Sequence, residues 1–264
     1  MLKATDLRLT FNPGTPIETQ ALRGMSLEIP TGQFVTVIGS NGAGKSTFLN
    51  AVSGEQRVDS GTIEIDGIDM TRQPVWGRAR HVARVFQDPL AGTCEDLTIE
   101  ENMALAKMRG ERRGFSFAVK PALREEFRAQ LSTLGLGLEN RLSDRIGLLS
   151  GGQRQAVSLL MAALQPSRLL LLDEHTAALD PRTAAFVLEL TVRIVAEHKL
   201  TTMMVTHSMR QALDVGQRTV MLHQGRVVLD VSGKEREGLD VHHLLDMFEK
   251  VRGEKLDDDA LLLG

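Results

Sequence analysis

The sequence of 264 residues predicts an α/β fold built around a mainly parallel sheet. Two observations lead to this prediction. Short apolar segments alternate with stretches of helical periodicity along much of the chain, which is the order of strand–helix–strand units. A glycine-rich loop at residues 39–46 also joins an apolar segment to a helical one, and such junctions are typical of parallel α/β sheets.

Apolar and alternating segments predict the strands. Residues 2–11 alternate as an edge strand does, and a turn containing Pro13 and Gly14 follows them. The other predicted strands are residues 33–38, 62–65, 81–86, 168–172 and 201–206. Two apolar runs separated by Gln-Gly within residues 218–231 predict a hairpin.

Helical periodicity predicts a helix from Lys45 to about Val52 and another over residues 183–198. Residues 95–135 are charged and carry Met and Leu at helical spacing, so they predict a helical insert. The acidic, then apolar residues 255–264 predict a loosely held tail. Trp76, the single tryptophan, is interpreted as a packing residue.

Composition limits the possible partners and setting. The formal net charge is −3, from 31 basic and 34 acidic residues, so the chain as a whole has no electrostatic basis for coating nucleic acid. Its one cysteine, Cys94, forms no intrachain disulfide, which fits a reducing cytosol. The N-terminus lacks the layout of a signal peptide, and no apolar run approaches the roughly 20 residues that cross a bilayer. Any membrane role is therefore expected to depend on a partner.

The glycine-rich loop has the sequence Gly-Ser-Asn-Gly-Ala-Gly-Lys-Ser and matches G-x-x-x-x-G-K-[ST]. Its glycines let the backbone N–H groups converge on phosphate oxygens, and the helix behind adds its positive N-terminal end. Lys45 is expected to reach the outer phosphates of a nucleotide, and the Ser46 hydroxyl to bind magnesium. The alternative is a glycine turn that contains Lys-Ser by chance, and the flanking strand and helix argue against it.

Two acids end the most apolar predicted strand. Four leucines at residues 169–172 precede Asp173 and Glu174. At the end of a buried strand near a phosphate loop, Asp173 is expected to hold magnesium and Glu174 to polarise the attacking water. Without the phosphate loop, a pair of solvated acids at a strand end would be an equally good interpretation.

The glycine-rich loop and the two strand-end acids, together with further motifs along the chain, resemble those of the ATP-binding subunits of ABC transporters. The resemblance covers about residues 2–232, and Leu-Ser-Gly-Gly-Gln at residues 149–153 is its most specific part. It also rests on residues 39–47, Gln87, residues 169–174, Ala178-Leu-Asp180 and His207. It implies a P-loop NTPase (RecA-like) core with an antiparallel β subdomain and an inserted α-helical subdomain, which is the ABC ATPase architecture.

The resemblance divides the single ABC ATPase domain, residues 1–264, into parts. The core with its β subdomain is expected at residues 1–88 and 155–232. The helical subdomain that carries the signature motif is expected at residues 89–154, and a C-terminal helix and tail at residues 233–264.

The resemblance also implies ATP hydrolysis with Mg²⁺ at sites shared by two copies of the chain packed head to tail. The expected nucleotide-binding residues are Phe11, which would stack on adenine, with Ser40, Asn41, Gly42, Ala43, Gly44, Lys45, Ser46 and Thr47. The partner copy is expected to contribute Ser150, Gly151, Gly152, Gln153 and Asp180. The expected catalytic residues are Glu174, His207 and Gln87, and the expected metal ligands are Ser46, Gln87 and Asp173.

Several of these residues have simpler interpretations. The alternative for Ser150–Gln153 is a simple helix cap, and an N-cap before Pro181 fits Asp180 equally well. Phe11 could be a core residue, Gln87 a surface residue and His207 a structural one. The usual proline after the catalytic glutamate is replaced by His175, and we expect hydrolysis to be unaffected because neither base nor metal ligand changes.

The chain lacks the Thr-x-Val-Gly-Glu pattern that precedes the signature motif in many exporters, and it has no fused membrane domain. Both features favour a bacterial importer of a small solute, and the chain resembles ATPases of tryptophan/tyrosine-type import systems. The implied partners are integral membrane permease subunits and a separate substrate-binding protein, with no nucleic acid. The implied location is cytoplasmic, at the inner face of the membrane.

Two alternatives remain. A soluble ABC ATPase that serves an assembly process, such as iron–sulfur cluster biogenesis, would need only a different partner. Gln153 argues mildly against it, because those relatives tend to carry Glu there. An ABC ATPase that handles nucleic acid would usually carry coiled-coil arms, zinc sites or a second ATPase half, and this sequence has none of these.

Overall fold

The computed structural model describes residues 1–111 and 119–252, which form two compact units. The first unit contains residues 1–78 and 200–252, and the second contains residues 79–199. The predicted tail at residues 255–264 lies outside the described residues, as does part of the predicted helical insert, residues 112–118. The subdomain boundaries expected from the resemblance stay a prediction.

The chain alternates strands and helices as predicted. The strands are β1 (Leu2–Phe11), β2 (Thr19–Ile29), β3 (Phe34–Ile38), β4 (Ser60–Ile65), β5 (Ile68–Asp69), β6 (Val82–Val85), β7 (Leu169–Asp173), β8 (Thr202–Val205), β9 (Arg218–His223) and β10 (Arg226–Ser232). The helices are α1 (Lys45–Ser53), α2 (Val75–Arg78), α3 (Ile99–Lys107), α4 (Pro121–Ser132), α5 (Gly151–Ala163), α6 (Pro181–His198), α7 (Met209–Asp214) and α8 (Val241–Arg252). Within the described ranges, no helix combines the length and apolar character needed to cross a membrane.

The first unit contains an antiparallel sheet in the order β2-β1-β4-β5. Most alternate residues of β1 are buried, as an alternating strand requires, but the prediction of an edge strand for residues 2–11 was wrong. β1 pairs with β2 on one side and with β4 on the other, so it lies inside the sheet. Strand β2 was not predicted from the sequence. Its buried residues Leu22, Met25, Leu27 and Ile29 are interrupted by Gly24 and by a register shift against β1. A bulged strand loses the strict period of two, which explains why its pattern was not recognised.

The first unit also contains the strand on which the glycine-rich loop depends. All five residues of β3 are buried, and β3 pairs in parallel with both β8 and β9. The predicted hairpin forms from β9 and β10, and its turn places Gln224 at φ 46° and Gly225 at φ 74°. A strand that is covered on both faces reads as a continuous apolar run, so β3 was visible in the sequence.

The C-terminal helix α8 belongs to the core of the first unit. Its Leu244 and Phe248 are buried in a cluster with Ile38 from the end of β3, Met209 from α7 and Met221 from β9. The Phe248 ring also meets the His223 ring edge-on, with 5.4 Å between the centroids. The helix therefore supports both the base of the glycine-rich loop and the segment that follows β8.

The second unit contains β6 and β7, which pair in parallel with Val82 opposite Leu169. Helices α3 and α4 occupy the predicted insert. A capping box starts α3: the Thr98 hydroxyl accepts a hydrogen bond from the Glu101 N–H, and the Glu101 carboxylate accepts one from the Thr98 N–H. The long helix α6 begins at Pro181, two residues before the predicted start.

Trp76 corrects the sequence analysis, because it is 79% exposed and does not pack in the core. The buried residue of α2 is Arg78, whose guanidinium donates to the carbonyls of Ala51 and Val52 at the end of α1 and to the carbonyl of Gln73. Burial lowers the pKa of Arg78 to about 10, so it still carries its charge at neutral pH. A cation at the C-terminal end of α1 also complements the helix dipole.

Candidate functional site

The glycine-rich loop follows β3 and leads into α1. Gly39 has φ 151°, and a Cβ atom at this position would collide with the carbonyl oxygen of Leu222. Gly44, the N-cap of α1, has φ 99°, and a Cβ there would lie 2.7 Å from the carbonyl oxygen of Ala21. Both positions therefore require glycine, because neither backbone angle nor the available space suits a larger residue.

Hydrogen bonds hold the curl of this loop. The Ala43 N–H donates to the Ser40 carbonyl at 3.1 Å, and the Gly225 N–H of the hairpin turn donates to the Ala43 carbonyl at 3.0 Å. The buried Lys45 ammonium donates to the carbonyls of Gly39 at 2.7 Å and Ser40 at 3.3 Å. The loop thus surrounds a positive charge at the N-terminal end of a helix, which is the environment that phosphate prefers.

Phe11 and His207 belong to the same unit as the loop. Phe11 ends β1 and is 37% exposed, so its ring is accessible rather than a core residue. His207 follows β8 and precedes Ser208, the N-cap of α7. The Thr206 N–H donates to the Val37 carbonyl at 3.1 Å. Because β3 and β8 are parallel neighbours, His207 and the glycine-rich loop leave the same end of the sheet.

Asp173 ends β7 in the second unit and makes an ion pair that the sequence analysis did not predict. The Arg84 Nη2 of β6 lies 2.6 Å from Asp173 Oδ2, and the two side chains are only 11% and 15% exposed. The Arg84 guanidinium also lies 4.6 Å above the centre of the Phe86 ring. In the sequence, the sign of this ion pair is a single arginine in the otherwise apolar strand Val-Ala-Arg-Val.

Glu174 has φ 44°, a left-handed conformation that residues other than glycine rarely adopt. Its carbonyl accepts a hydrogen bond from the Ala177 N–H at 2.9 Å, which closes a turn. Strained backbone of this kind clusters at functional sites when the surroundings enforce it. The turn therefore fixes the direction in which the Cα–Cβ bond of Glu174 leaves the backbone.

His175 is 2% exposed and lies behind this turn. Its Nε2 is 2.9 Å from Thr191 Oγ1 of α6, and the Thr191 hydroxyl donates to the Val187 carbonyl. Because that hydroxyl hydrogen is already used, His175 must donate from Nε2. Burial lowers the pKa of His175 to about 4, so the imidazole is neutral at neutral pH.

Ser150 and Asp180 both cap helices in the second unit. A capping box links Ser150 to Gln153, in which the Ser150 hydroxyl accepts from the Gln153 N–H at 3.3 Å. Asp180 accepts from the Thr183 N–H at 3.1 Å, and hydrogen bonds from the Thr183 side chain and then from its N–H lower the pKa of the Asp180 carboxyl. The capping interpretation is thus observed for both residues, while their roles across a dimer stay predictions.

Gln87 is exposed and follows β6 through Phe86. The Phe86 carbonyl accepts a hydrogen bond from Gln155 Nε2 at 3.0 Å, and Gln155 is fully buried in α5. This bond ties the residue before Gln87 to the helix that Ser150 caps. Gln155 was missed in the sequence because a glutamine inside an apolar helix gives no local signal of its partner.

The predicted donors suit magnesium and a nucleotide. Ser46 offers a hydroxyl, Gln87 an amide oxygen and Asp173 a carboxylate, and Mg²⁺ prefers such hard oxygen ligands. The Asp173 carboxylate already binds one cation, the Arg84 guanidinium. The glycine curl around Lys45 fits a phosphate chain.

Comparisons with known proteins agree with this geometry. The ABC transporter family profile matches residues 22–177. The tyrosine transport ATP-binding protein of Clostridioides difficile is 44% identical over 94% of this chain and 99% of its own length. An aliphatic sulfonates import ATP-binding protein of Agrobacterium fabrum is 34% identical over 81% of this chain and 74% of its own. The ATP-binding cassette MJ0796, solved as a dimer bound to ADP and Pi, has a TM-score of 0.75 at 28% identity over 88% of this chain and 98% of its own.

Proposed function

The chain belongs to the ATP-binding proteins of ABC transporters, which are ATPases, and on this basis we propose that two copies close around Mg²⁺-ATP to drive the import of a small solute. The observation that carries the dimer is the start of α5. The Ser150 oxygen accepts the Gln153 N–H, so its hydroxyl hydrogen is left to donate to a further acceptor. A terminal phosphate held by the partner copy is an acceptor of the right charge for this helix N-terminus.

The glycine-rich loop would hold the phosphate chain of ATP. Backbone N–H groups of residues 40–47 and the Lys45 ammonium would face its oxygens, and the exposed Phe11 ring would stack on the adenine. Ser46, Gln87 and Asp173 would hold the magnesium. Bound Mg²⁺ neutralises charge on the phosphate oxygens and helps to align them.

Glu174 would accept a proton from the attacking water while His207 contacts the terminal phosphate and orients that carboxylate. The left-handed turn at Glu174 favours this role, because it restricts the directions that the side chain can take. Catalysis of this kind depends on positioning and charge more than on covalent chemistry.

The cargo is proposed to be an amino acid. The support is the relative from Clostridioides difficile, which is named for tyrosine transport and aligns along nearly its full length. In such a system the chain would bind permease subunits at the cytoplasmic face of the membrane, and a separate substrate-binding protein would deliver the solute. Other relatives are named for importing sulfonates or phosphonates, so these anions are the compounds to compare.

Glu174→Gln tests the dimer. This variant should bind ATP, fail to hydrolyse it and elute as a dimer in size-exclusion chromatography with ATP and magnesium. The double variant Lys45→Ala/Glu174→Gln is the control, and it should stay monomeric because it loses contact with the phosphates. Monomer alone for Glu174→Gln, with nucleotide binding retained, would refute the closed dimer.

The cargo is tested with the chain purified together with its permease subunits and placed in liposomes. Turnover should rise when the binding protein is loaded with tyrosine or tryptophan, and it should stay at its basal level with an aliphatic sulfonate. If only the sulfonate stimulates ATP turnover, the cargo is a sulfonate and the amino acid proposal is wrong.

A further inference from the structure

Arg84 is a cation that already occupies the predicted magnesium ligand. Its Nη2 lies 2.6 Å from Asp173 Oδ2, and β6 and β7 pair side by side with Arg84 opposite Leu171. Both side chains are mostly buried, so water screens the pair only weakly. The contact is a short, charge-assisted hydrogen bond of the stronger kind.

Phe86 fixes the place of the guanidinium. The ring lies 4.6 Å below the Arg84 Cζ, and a cation over a ring face is attracted by the negative charge of that face. Phe86 is held in turn through its carbonyl, which accepts from the buried Gln155. Arg84 is therefore kept beside Asp173 by more than the carboxylate itself.

A dication that binds Asp173 would have to share the carboxylate with this guanidinium. Arg84 uses one of the two oxygens, and its charge repels a second cation at short range. Both effects weaken the binding of a metal ion at Asp173. Removing the Arg84 charge should relieve both of them.

We propose that Arg84 competes with Mg²⁺ for Asp173 and thereby raises the magnesium concentration at which the site fills. This inference rests on the proposed function, in which Asp173 is a magnesium ligand. Arg84 acts through Asp173 and is a positioning residue, because it touches neither substrate nor reacting atoms. The site would then fill only when nucleotide and metal arrive together and their combined contacts outweigh the ion pair.

Arg84→Gln tests the competition through binding rather than turnover. The affinity for a fluorescent ATP analogue is measured at increasing Mg²⁺, starting from EDTA. The half-maximal Mg²⁺ is the concentration that produces half of the total change in affinity for the analogue. It should fall by about threefold or more in Arg84→Gln, since a like charge close to the metal is gone. In EDTA, Arg84→Gln and the parent should bind the ATP analogue with the same affinity. Arg80→Gln is the matched control, because exposed Arg80 pairs with Glu111 and should not alter the Mg²⁺ dependence.

Arg84→Lys gives a second variant in case the uncharged one folds poorly. Lysine keeps the charge but lacks the planar fork that matches a carboxylate, so its half-maximal Mg²⁺ should lie between those of the parent and Arg84→Gln. A half-maximal Mg²⁺ that is unchanged or higher in folded Arg84→Gln would overturn the proposal. So would a shift of equal size in Arg80→Gln.

Asp173→Asn separates this inference from the proposed function. If Asp173 is a ligand, this variant should need far more Mg²⁺ than the parent. An unchanged Mg²⁺ dependence in Asp173→Asn would mean that the ligand assignment itself is wrong. If Asp173→Asn needs far more Mg²⁺ than the parent but Arg84→Gln does not need less, only the proposed role of Arg84 is rejected.

Discussion

At the scale of single residues, His175 shows how a buried side chain can fix a backbone turn. The family resemblance implies a proline at this position, and proline would restrain the chain through its ring. Here the imidazole donates to Thr191 of α6 instead, while Glu174 beside it takes a left-handed conformation. The hydrogen bond ties the turn to the long helix α6, toward which the imidazole points.

The buried imidazole should make stability depend on pH. The pKa of His175 is about 4 in the fold and 6.5 in the unfolded chain, so the unfolded state binds more protons between these values. This contribution is fully present above pH 6.5 and is lost as the pH falls to about 4, with a size of about 3 kcal/mol. Urea unfolding of the parent and of His175→Gln at pH 7.5 and 4.5 measures it.

His175→Gln should lose less stability than the parent over this interval, because glutamine has no proton to gain there. An equal loss in both proteins would show that other groups cause the acid sensitivity.

His175→Pro should leave ATP turnover within tenfold of the parent. The change removes the bond to Thr191, but Thr191 keeps its bond to the Val187 carbonyl, and the base and metal ligands stay in place. Steady-state turnover at saturating ATP and magnesium is the measurement. A larger change in either direction would mean that the imidazole does more than hold the turn.

At the scale of elements, the first turn of α5 packs against the first turn of α6. A Cβ atom on Gly152 would collide with the Thr183 methyl group, whereas one on Gly151 would lie at an ordinary 3.6 Å from Leu179. Gly152 is buried and Gly151 is exposed. Of this glycine pair, only Gly152 is required by packing between the two helices.

Gly152→Ala should therefore destabilise the protein by about 1–3 kcal/mol through overpacking against α6. Gly151→Ala is the matched control and should change stability by no more than about 0.5 kcal/mol. Chemical denaturation of both variants without nucleotide gives the comparison. Equal effects would show that the Thr183 side chain moves aside easily.

At the scale of the whole molecule, the C-terminal helix belongs to the core of the first unit. Leu244 and Phe248 of α8 complete the cluster that contains Ile38, which directly precedes the glycine-rich loop. Arg236 adds hydrogen bonds to the carbonyls of Ala212, Leu213 and Val215 at the end of α7. Arg236, Leu244 and Phe248 thus support the two segments that carry the loop and His207.

Phe248→Ala should lower the free energy of unfolding by about 3–5 kcal/mol, the usual result of emptying a buried phenylalanine site. It should also weaken ATP binding, because the cluster supports the base of the loop. Asp246→Ala on the exposed side of the same helix is the control, and it should change stability by no more than about 0.5 kcal/mol. A stability loss with unchanged ATP affinity would separate the core role from support of the loop.

The sequence by itself determined the features whose causes are local. Continuous apolar runs marked β3 and β7, and the glycines of residues 39–44 marked a loop that only their backbone freedom allows. The resemblance to the ABC family rested on the same short motifs, and the comparisons confirmed it. Such features depend on neighbours within a few positions, so the order of residues is enough to reveal them.

Only the tertiary structure decided the contacts between distant positions. Arg84 and Asp173 are 89 positions apart, and only the pairing of β6 with β7 brings their charges together. The exposure of Trp76, the burial of Arg78 and the bond from His175 to α6 likewise depend on which surfaces meet. Burial and ion pairing are properties of packed neighbours, and a one-dimensional pattern does not contain that information.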